Sequence, residues 1–188
     1  MGKVKVLVVI DVQNDFIDGS LANTEAQKKV DNIVKKINEF DGDAIVLTKD
    51  THTSNYLETK EGQRLPVEHC IQGTPGWELN QKVYDAVDER VKKDDANVRM
   101  FFKPTFGSLS LQNYFSEFGD DAEFEIEFVG FCTDICVVSN VMLVKAALYD
   151  RAEISVDAAC CAGVTIESHK AALLTMKMCQ INVINEDE

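Results

Sequence analysis

The sequence predicts a three-layer α/β/α, Rossmann-like fold with a six-stranded, mainly parallel sheet. Two observations carry this. Short apolar runs rich in β-branched residues alternate with segments of helical period along the chain, the pattern of repeated β-α-β units. The 188 residues also contain no Pro/Ser/Gly-rich linker, repeat or low-complexity stretch, so a single domain over 1–188 is expected.

The elements follow in order. Val4-Lys-Val-Leu-Val-Val-Ile10 reads as a buried strand. Residues 25–40 form a helix with Val30, Ile33, Val34 and Ile37 on one face. Residues 43–48 and 98–102 are the second and third strands, with a short helix over 108–118 after the latter. A fourth strand over 124–130 runs into a helix from about 134 to 149, followed by a strand at 153–156, a helix at 165–178 and a last strand at 181–184. Right-handed crossovers then fix most of the topology. Residues 51–79 break the rhythm. They are polar and carry Gly62, Pro66, Gly73, Pro75 and Gly76, and a loop that long inside a small domain is usually functional. Residues 185–188 read as a frayed tail.

Composition narrows the partners. A net charge of −13 argues against a nucleic-acid binder, which needs a basic face, and against docking on anionic lipid. The excess acid is expected on outer helices and loops such as 85–89 and 117–127. An apolar content of 45% is too high for a disordered acidic chain. No apolar run reaches the ~18 residues of a membrane span, and the N-terminus lacks a signal peptide's layout. These readings place the protein in the cytoplasm. Its six cysteines are then reduced thiols, mostly buried, with no paired zinc spacing among them.

Parallel α/β sheets bind ligands at the carboxyl ends of their strands. There the predicted strands deliver Asp11, then Asp50 with His52, then Lys103, then the Gly130-Phe-Cys-Thr-Asp-Ile-Cys136 turn. Asp11 reads as a loop-capping carboxylate or as a general base whose pKa burial raises. Lys103, stopped by Pro104, reads as a solvated lysine or as a cation holding Asp11 ionised. Cys136 falls in the first turn of the following helix, where the dipole favours a thiolate and backbone N–H groups can form an oxyanion hole. Cys132 reads as the inert thiol of that turn. Asp50 and His52 share one side of an extended segment, and His69 comes from the long loop. The three suit a divalent metal, Zn²⁺, Fe²⁺ or Mn²⁺, or a hydrogen-bonded Asp–His pair with a surface His69. His169 reads as a surface residue.

Four segments carry a family resemblance: Val9-Ile-Asp-Val-Gln-Asn-Asp-Phe16; Thr48-Lys-Asp-Thr-His52 with Glu68-His-Cys-Ile-Gln-Gly-Thr-Pro-Gly-Trp-Glu-Leu79; Phe102-Lys-Pro-Thr-Phe106; and Val129-Gly-Phe-Cys-Thr-Asp-Ile-Cys-Val137. In this order they resemble the isochorismatase-like cysteine hydrolases, and within them the nicotinamidases and related amidases. The resemblance implies a catalytic triad of Asp11, Lys103 and Cys136, and metal ligands Asp50, His52 and His69, with zinc the first choice of metal. It also implies a cis peptide at Phe131–Cys132, an oxyanion hole from the N–H groups of Cys132 and Cys136, and a substrate pocket that includes Phe16 and Phe131. Two positions depart from the nicotinamidase pattern: Pro66 stands where a ring-stacking Trp is common, and Asp50-Thr-His-Thr53 replaces Asp-Trp-His-Pro.

The expected activity is hydrolysis of a small carboxamide, nicotinamide first, through a Cys136 thioester. Rival readings are a hydrolase of the same family acting on ureido or N-carbamoyl compounds, a phospho-acceptor signalling domain, and a non-catalytic metal-holding binding protein. A vinyl-ether hydrolase would leave Cys136 without a task. The helix over 137–148 is apolar on nearly all sides, which suggests a homo-oligomer.

Overall fold

The structure, a computed structural model, describes residues 2–93 and 97–186. The six strands are β1 (Val4–Ile10), β2 (Ala44–Asp50), β3 (Asn97–Lys103), β4 (Phe124–Phe131), β5 (Ala152–Ala162) and β6 (Asn182–Ile184). They form one sheet in the order β3-β2-β1-β4-β5-β6, and every neighbouring pair is parallel. Both faces are covered, which explains the near-continuous apolar runs Val6–Ile10 of β1 and Ala44–Leu47 of β2. One face, with Val6, Val8, Ile10, Ile126 and Phe128, packs under α4 (Leu109–Tyr114), α5 (Val138–Leu148) and α6 (Ile166–Met178). The other, with Leu7, Val9, Ile45, Leu47 and Val129, packs under α1 (Asn14–Ile17), α2 (Thr24–Glu39) and α3 (Gln81–Lys93).

Local chemistry accounts for the helix ends. Asn23 caps α2 by accepting from the N–H groups of Glu25 and Ala26, and α2 buries Ala26, Val30, Ile33 and Ile37 at helical spacing. Thr165 and Ser168 form a reciprocal capping box at α6.

Three features differ from expectation. The sequence reading assigns no helix between 79 and 98, yet α3 is there; its stripe is Val83, Ala86, Val87 and then Arg90, whose guanidinium donates to the Ile37 carbonyl at 2.6 Å. A charged residue closing the stripe hides the period. β5 continues past Val156 through Asp157 to Ala162, and its far half is small residues with weak strand propensity. The helix after β4 does not begin directly: Thr133–Val137 is a π-helical turn, with the Val137 N–H on the Cys132 carbonyl at 3.0 Å, and α5 follows it. The predicted tail lies partly outside the described residues. Among the described residues no helix is long and apolar enough to cross a membrane.

Strand order reverses between β1 and β4, and a sheet of this kind opens a crevice at that switch point. Ile10 pairs with Thr48 on one side and Gly130 on the other. Gly130 has φ 119°, and a Cβ there would lie 2.1 Å from the Ile10 carbonyl oxygen, so only glycine allows the strands this close.

Candidate active site

Register builds the site. Asp50, the last residue of β2, is the direct partner of Lys103, the last residue of β3. Asp11 follows β1 with φ 48°, a left-handed conformation that asparagine and aspartate tolerate better than most residues. The Thr48 hydroxyl donates to Asp11 Oδ1 at 2.7 Å. Lys103 Nζ lies 2.6 Å from Asp11 Oδ2, 3.2 Å from Asp50 Oδ1 and 3.3 Å from Cys136 Sγ. All four residues are buried, Lys103 to 1% exposure. One ammonium therefore bridges two carboxylates and a thiol at the floor of the switch-point crevice.

The electrostatics follow from burial. Desolvation alone would push Lys103 down, but Asp11, Cys136 and Asp50 hold it well above the ordinary lysine value. Burial raises the Asp11 carboxyl above the ordinary carboxylate range; Lys103 opposes the rise and Asp50 adds to it. Burial and the Asp11 charge also lift the Cys136 thiol well above its usual value, against the pull of Lys103. The sequence reading expects the opposite, a thiol depressed by a helix dipole. A thiol raised in this way calls for a proton acceptor when it reacts, and the Asp11 carboxylate is joined to it through Lys103.

On the other side of Asp50 sit the histidines. His52 Nε2 is 3.0 Å and His69 Nε2 3.6 Å from Asp50 Oδ2. The ligand atoms of Asp50, His52 and His69 all lie within 4.8 Å of one another. His69 Nδ1 is 2.9 Å from the Val67 carbonyl, which can only accept; Nδ1 therefore carries the proton and Nε2 offers its lone pair. One carboxylate and two imidazoles with such support fit a divalent transition metal. Burial would raise Asp50, yet its His52 contact, the nearby His69 ring and the Lys103 ammonium hold it well below the ordinary range. Tyr56, fully buried, packs its ring 4.7 Å from His52 and 4.9 Å from His69, centroid to centroid.

Four residues escape the sequence reading. Glu61 Oε1 lies 3.7 Å from His52 Nε2 and 3.8 Å from His69 Nε2, a further oxygen donor beside the cluster. Gln13, fully buried, clasps the Asp50 backbone at both ends: its amide donates to the Asp50 carbonyl at 2.9 Å and accepts the Asp50 N–H at 2.7 Å. Asp15 accepts the N–H of Cys70, next to His69, at 2.7 Å. Asn140 donates to the Cys136 carbonyl at 2.8 Å and the Phe106 carbonyl at 3.1 Å, and accepts the Ser108 N–H at 2.8 Å. It ties the cysteine's turn to the loop beyond Lys103. None of these four stands in a spacing with its partners along the chain; Gln13 and Asp15 lie inside the first resemblance segment but carry no ligand pattern of their own.

A cleft of about 740 Å³ opens over the centre, with Cys132, Cys136, Asp50, Glu61, His69 and Phe16 in its lining. Phe16 is 7% exposed, and its ring centroid is 5.8 Å from that of His69. Phe131, expected in the pocket, is fully buried in the core under α2 and α3, and the cleft lining does not include it. What it brings to the site is backbone: the Phe131–Cys132 peptide is cis, and the chain turns there into the π-helical segment. The Cys132 thiol is raised by burial and by Asp134 to about 12, a value that suits an inert thiol. Pro66 is exposed and does not line the cleft. His169 is half-buried rather than on the surface, with its Nδ1 2.8 Å from the Thr133 hydroxyl.

A thiol, a lysine-bridged carboxylate pair and a metal-donor set at the switch point of a parallel sheet are the parts of a nucleophilic hydrolase of the α/β class. Residues 5–188 match the family model described as the isochorismatase domain, and the chain belongs to that family. The nicotinamidase/pyrazinamidase of Mycobacterium tuberculosis is 26% identical over 202 residues, covering 96% of this chain and 98% of that protein. A crystal structure of the nicotinamidase/pyrazinamidase from Bacillus subtilis is similar at TM-score 0.80 and 26% identity, covering 97% of this chain and 100% of that one. A crystal structure of the pyrazinamidase of Pyrococcus horikoshii in complex with zinc is similar at TM-score 0.67 and 25% identity, covering 96% and 98%.

Proposed function

We propose that this protein is a metal-containing cysteine amidohydrolase that converts nicotinamide and water to nicotinate and ammonia, as the names of its relatives describe for them. The observation that carries the reading is the Lys103 ammonium held between Asp11 and Asp50 with the Cys136 thiol 3.3 Å away.

In this mechanism Asp11 takes the proton of Cys136 as the sulfur attacks the carboxamide carbon. Lys103 stays charged throughout, offsetting the negative charge that collects on Asp11 and sulfur. The carboxamide oxygen becomes an oxyanion, accepted by the backbone N–H groups of Cys132 and Cys136, each such donor worth about 3–4 kcal/mol in a measured protease case. Asp11 returns the proton to the departing nitrogen, and ammonia leaves a Cys136 thioester. Water then attacks the thioester carbon, giving its proton to Asp11; the bond to sulfur breaks, the thiol is restored and the acid departs. Phe16 and His69 flank the acyl group. A divalent cation, zinc first, held by Asp50, His52 and His69 would supply Lewis acidity for orienting a ring nitrogen or a water. Cytoplasmic location and a homo-oligomer formed through α5 remain part of the proposal.

The test is ammonia release from nicotinamide by the metal-loaded protein and by Cys136→Ala. The proposal expects turnover by the first and none by the second; full activity in Cys136→Ala would falsify the covalent route.

A further inference from the structure

Among the described residues fifteen large hydrophobics are exposed, and three of them gather at one place. Leu65 (39% exposed), Phe106 (43%) and Val164 (57%) all line the cleft above Cys136. They come from three separate segments: the metal-ligand loop, the loop after β3 and the loop after β5. Leu21 and Ile135, both partly buried, complete the wall between them. The small Gly19 and Ala22 also line the cleft. No Lys or Arg stands among the residues lining the cleft.

Size and polarity divide the cleft in two. Its reactive groups, Cys136, Asp50, His69 and Glu61, account for one end. A carboxamide on a single six-membered ring, seated between Phe16 and His69, occupies only a fraction of 740 Å³. The rest of the lining is mainly apolar and includes the polar Ser20, Asn23 and Thr24. Scattered exposed apolar residues need no explanation, but a cluster around the mouth of a reactive cleft is the usual lining for the apolar part of a ligand.

We infer that the site accepts carboxamides bearing an apolar extension on the acyl group, which lies against Leu21, Leu65, Phe106, Ile135 and Val164. The inference rests on the amidase reading and deepens it: the amide end is bound at Cys136, and the collar selects what hangs from the other end. With no Lys or Arg in the lining, nothing there would pair with an anionic extension, and the apolar collar suits an uncharged one. The collar is anchored to the reactive turn: the Phe106 carbonyl accepts from Asn140, which also donates to the Cys136 carbonyl, and the Val164 N–H is accepted by both Asp134 oxygens at 3.1 and 3.2 Å.

The experiment compares nicotinamide with 5-phenylnicotinamide, whose substituent leaves the ring nitrogen uncrowded. Ammonia release is measured for the metal-loaded wild type and for the double variant Leu65→Ser with Val164→Ser, both at exposed positions. The expected result is kcat/KM for the phenyl compound at least equal to that for nicotinamide in the wild type. In the double variant the ratio of the two falls about tenfold, as expected for losing contacts worth a methylene or more. Inhibition by the product acids gives a second readout, with 5-phenylnicotinate expected to bind the wild type more tightly than nicotinate. Hydrolysis of nicotinamide alone, or a ratio that the double variant leaves unchanged, overturns the inference and leaves the amidase reading standing. Ammonia from neither compound overturns both.

Discussion

Two lysines in this fold lie between two carboxylates, each with a cysteine close by, and they teach different lessons. Lys103 bridges Asp11 and Asp50 at 2.6 and 3.2 Å beside Cys136. Lys36, on α2, bridges Glu127 and Asp157 at 2.6 and 2.8 Å, and Cys160 shares a small cavity of about 170 Å³ with it. The side-chain inventory is nearly the same. Backbone context separates them. Lys103 ends an edge strand at the switch-point crevice, and Cys136 sits in a π-helical turn whose N–H groups are not committed to a sheet. Lys36 reaches from a helix onto the flank of β4 and β5, and Cys160 lies inside β5, at the irregularity just before pairing with β4 resumes at Cys161. The Cys160 thiol is raised by burial and by Asp157 to about 12. The first cluster can perform nucleophilic chemistry; the second holds α2 on the sheet.

Substitutions that exchange the two clusters' roles test this contrast most strongly. Cys136→Ala is expected to lower ammonia release from nicotinamide by at least about a thousandfold, as loss of a nucleophile does, while Cys160→Ala keeps wild-type kcat/KM. Lys103→Met should come next: a steady-state loss of about a hundredfold or more, because Asp11 and Asp50 then repel across the site, together with a lower unfolding midpoint.

Stripping the metal from the second half of the site is a smaller effect, read by calorimetry rather than turnover. A chelator should lower the melting temperature and added Zn²⁺ should restore it, since a ligand at a hundred times its Kd stabilises by about 2.7 kcal/mol. His69→Ala, which removes one donor, should make the melting temperature insensitive to both. An unchanged melting temperature in the wild type would remove the metal from the proposal.

Lys36→Met should cost about 2 kcal/mol in urea unfolding, below the about 3–5 kcal/mol of a fully buried pair because a quarter of the Lys36 side chain is exposed. Activity per folded molecule should be unchanged. The pH dependence follows from sign. Burial works against the charged form, but Asp157 and Glu127 hold the Lys36 amino group above its ordinary 10.5. A folded pKa above the unfolded one contributes stability that is fully present below 10.5 and is lost as pH rises through the folded value. The stability gap between wild type and Lys36→Met should therefore be flat from pH 7 to 10 and shrink above 10.5. A gap that grows at high pH contradicts this reading of the cluster.

The same contrast shows what a sequence can display. The strands are legible because β1 and β2 are apolar runs buried on both faces and β4 opens with alternating Phe124, Ile126 and Phe128, patterns that a stretch of chain reveals by itself. Their order also placed Asp11, Asp50, Lys103 and the Cys132–Cys136 turn at one edge. α3 was not legible because Arg90 occupies a core position by donating to a carbonyl, which no hydrophobic count registers. Glu61 and Asn140 were invisible for another reason: each acts on residues far along the chain or through backbone atoms, and only folding brings the partners together. The thiol of Cys136 was misjudged because a helix end is visible in sequence, whereas the depth of burial that outweighs it is not. Phe131 is a pocket residue by resemblance alone; its side chain is buried in the core while its peptide shapes the site.

Gly130 has a consequence for mutational tolerance. Any side chain at this position would force β1 and β4 apart, since a Cβ would lie 2.1 Å from the Ile10 carbonyl. Those strands lead directly into Asp11 and Cys132. The spacing of Asp11 and the Cys132–Cys136 turn is thus set by an empty position that carries no polar atom. Replacing Gly130 with alanine should yield a chain that folds around most of its core yet holds its reacting groups out of register, and a search for inactivating changes confined to polar residues would pass over it.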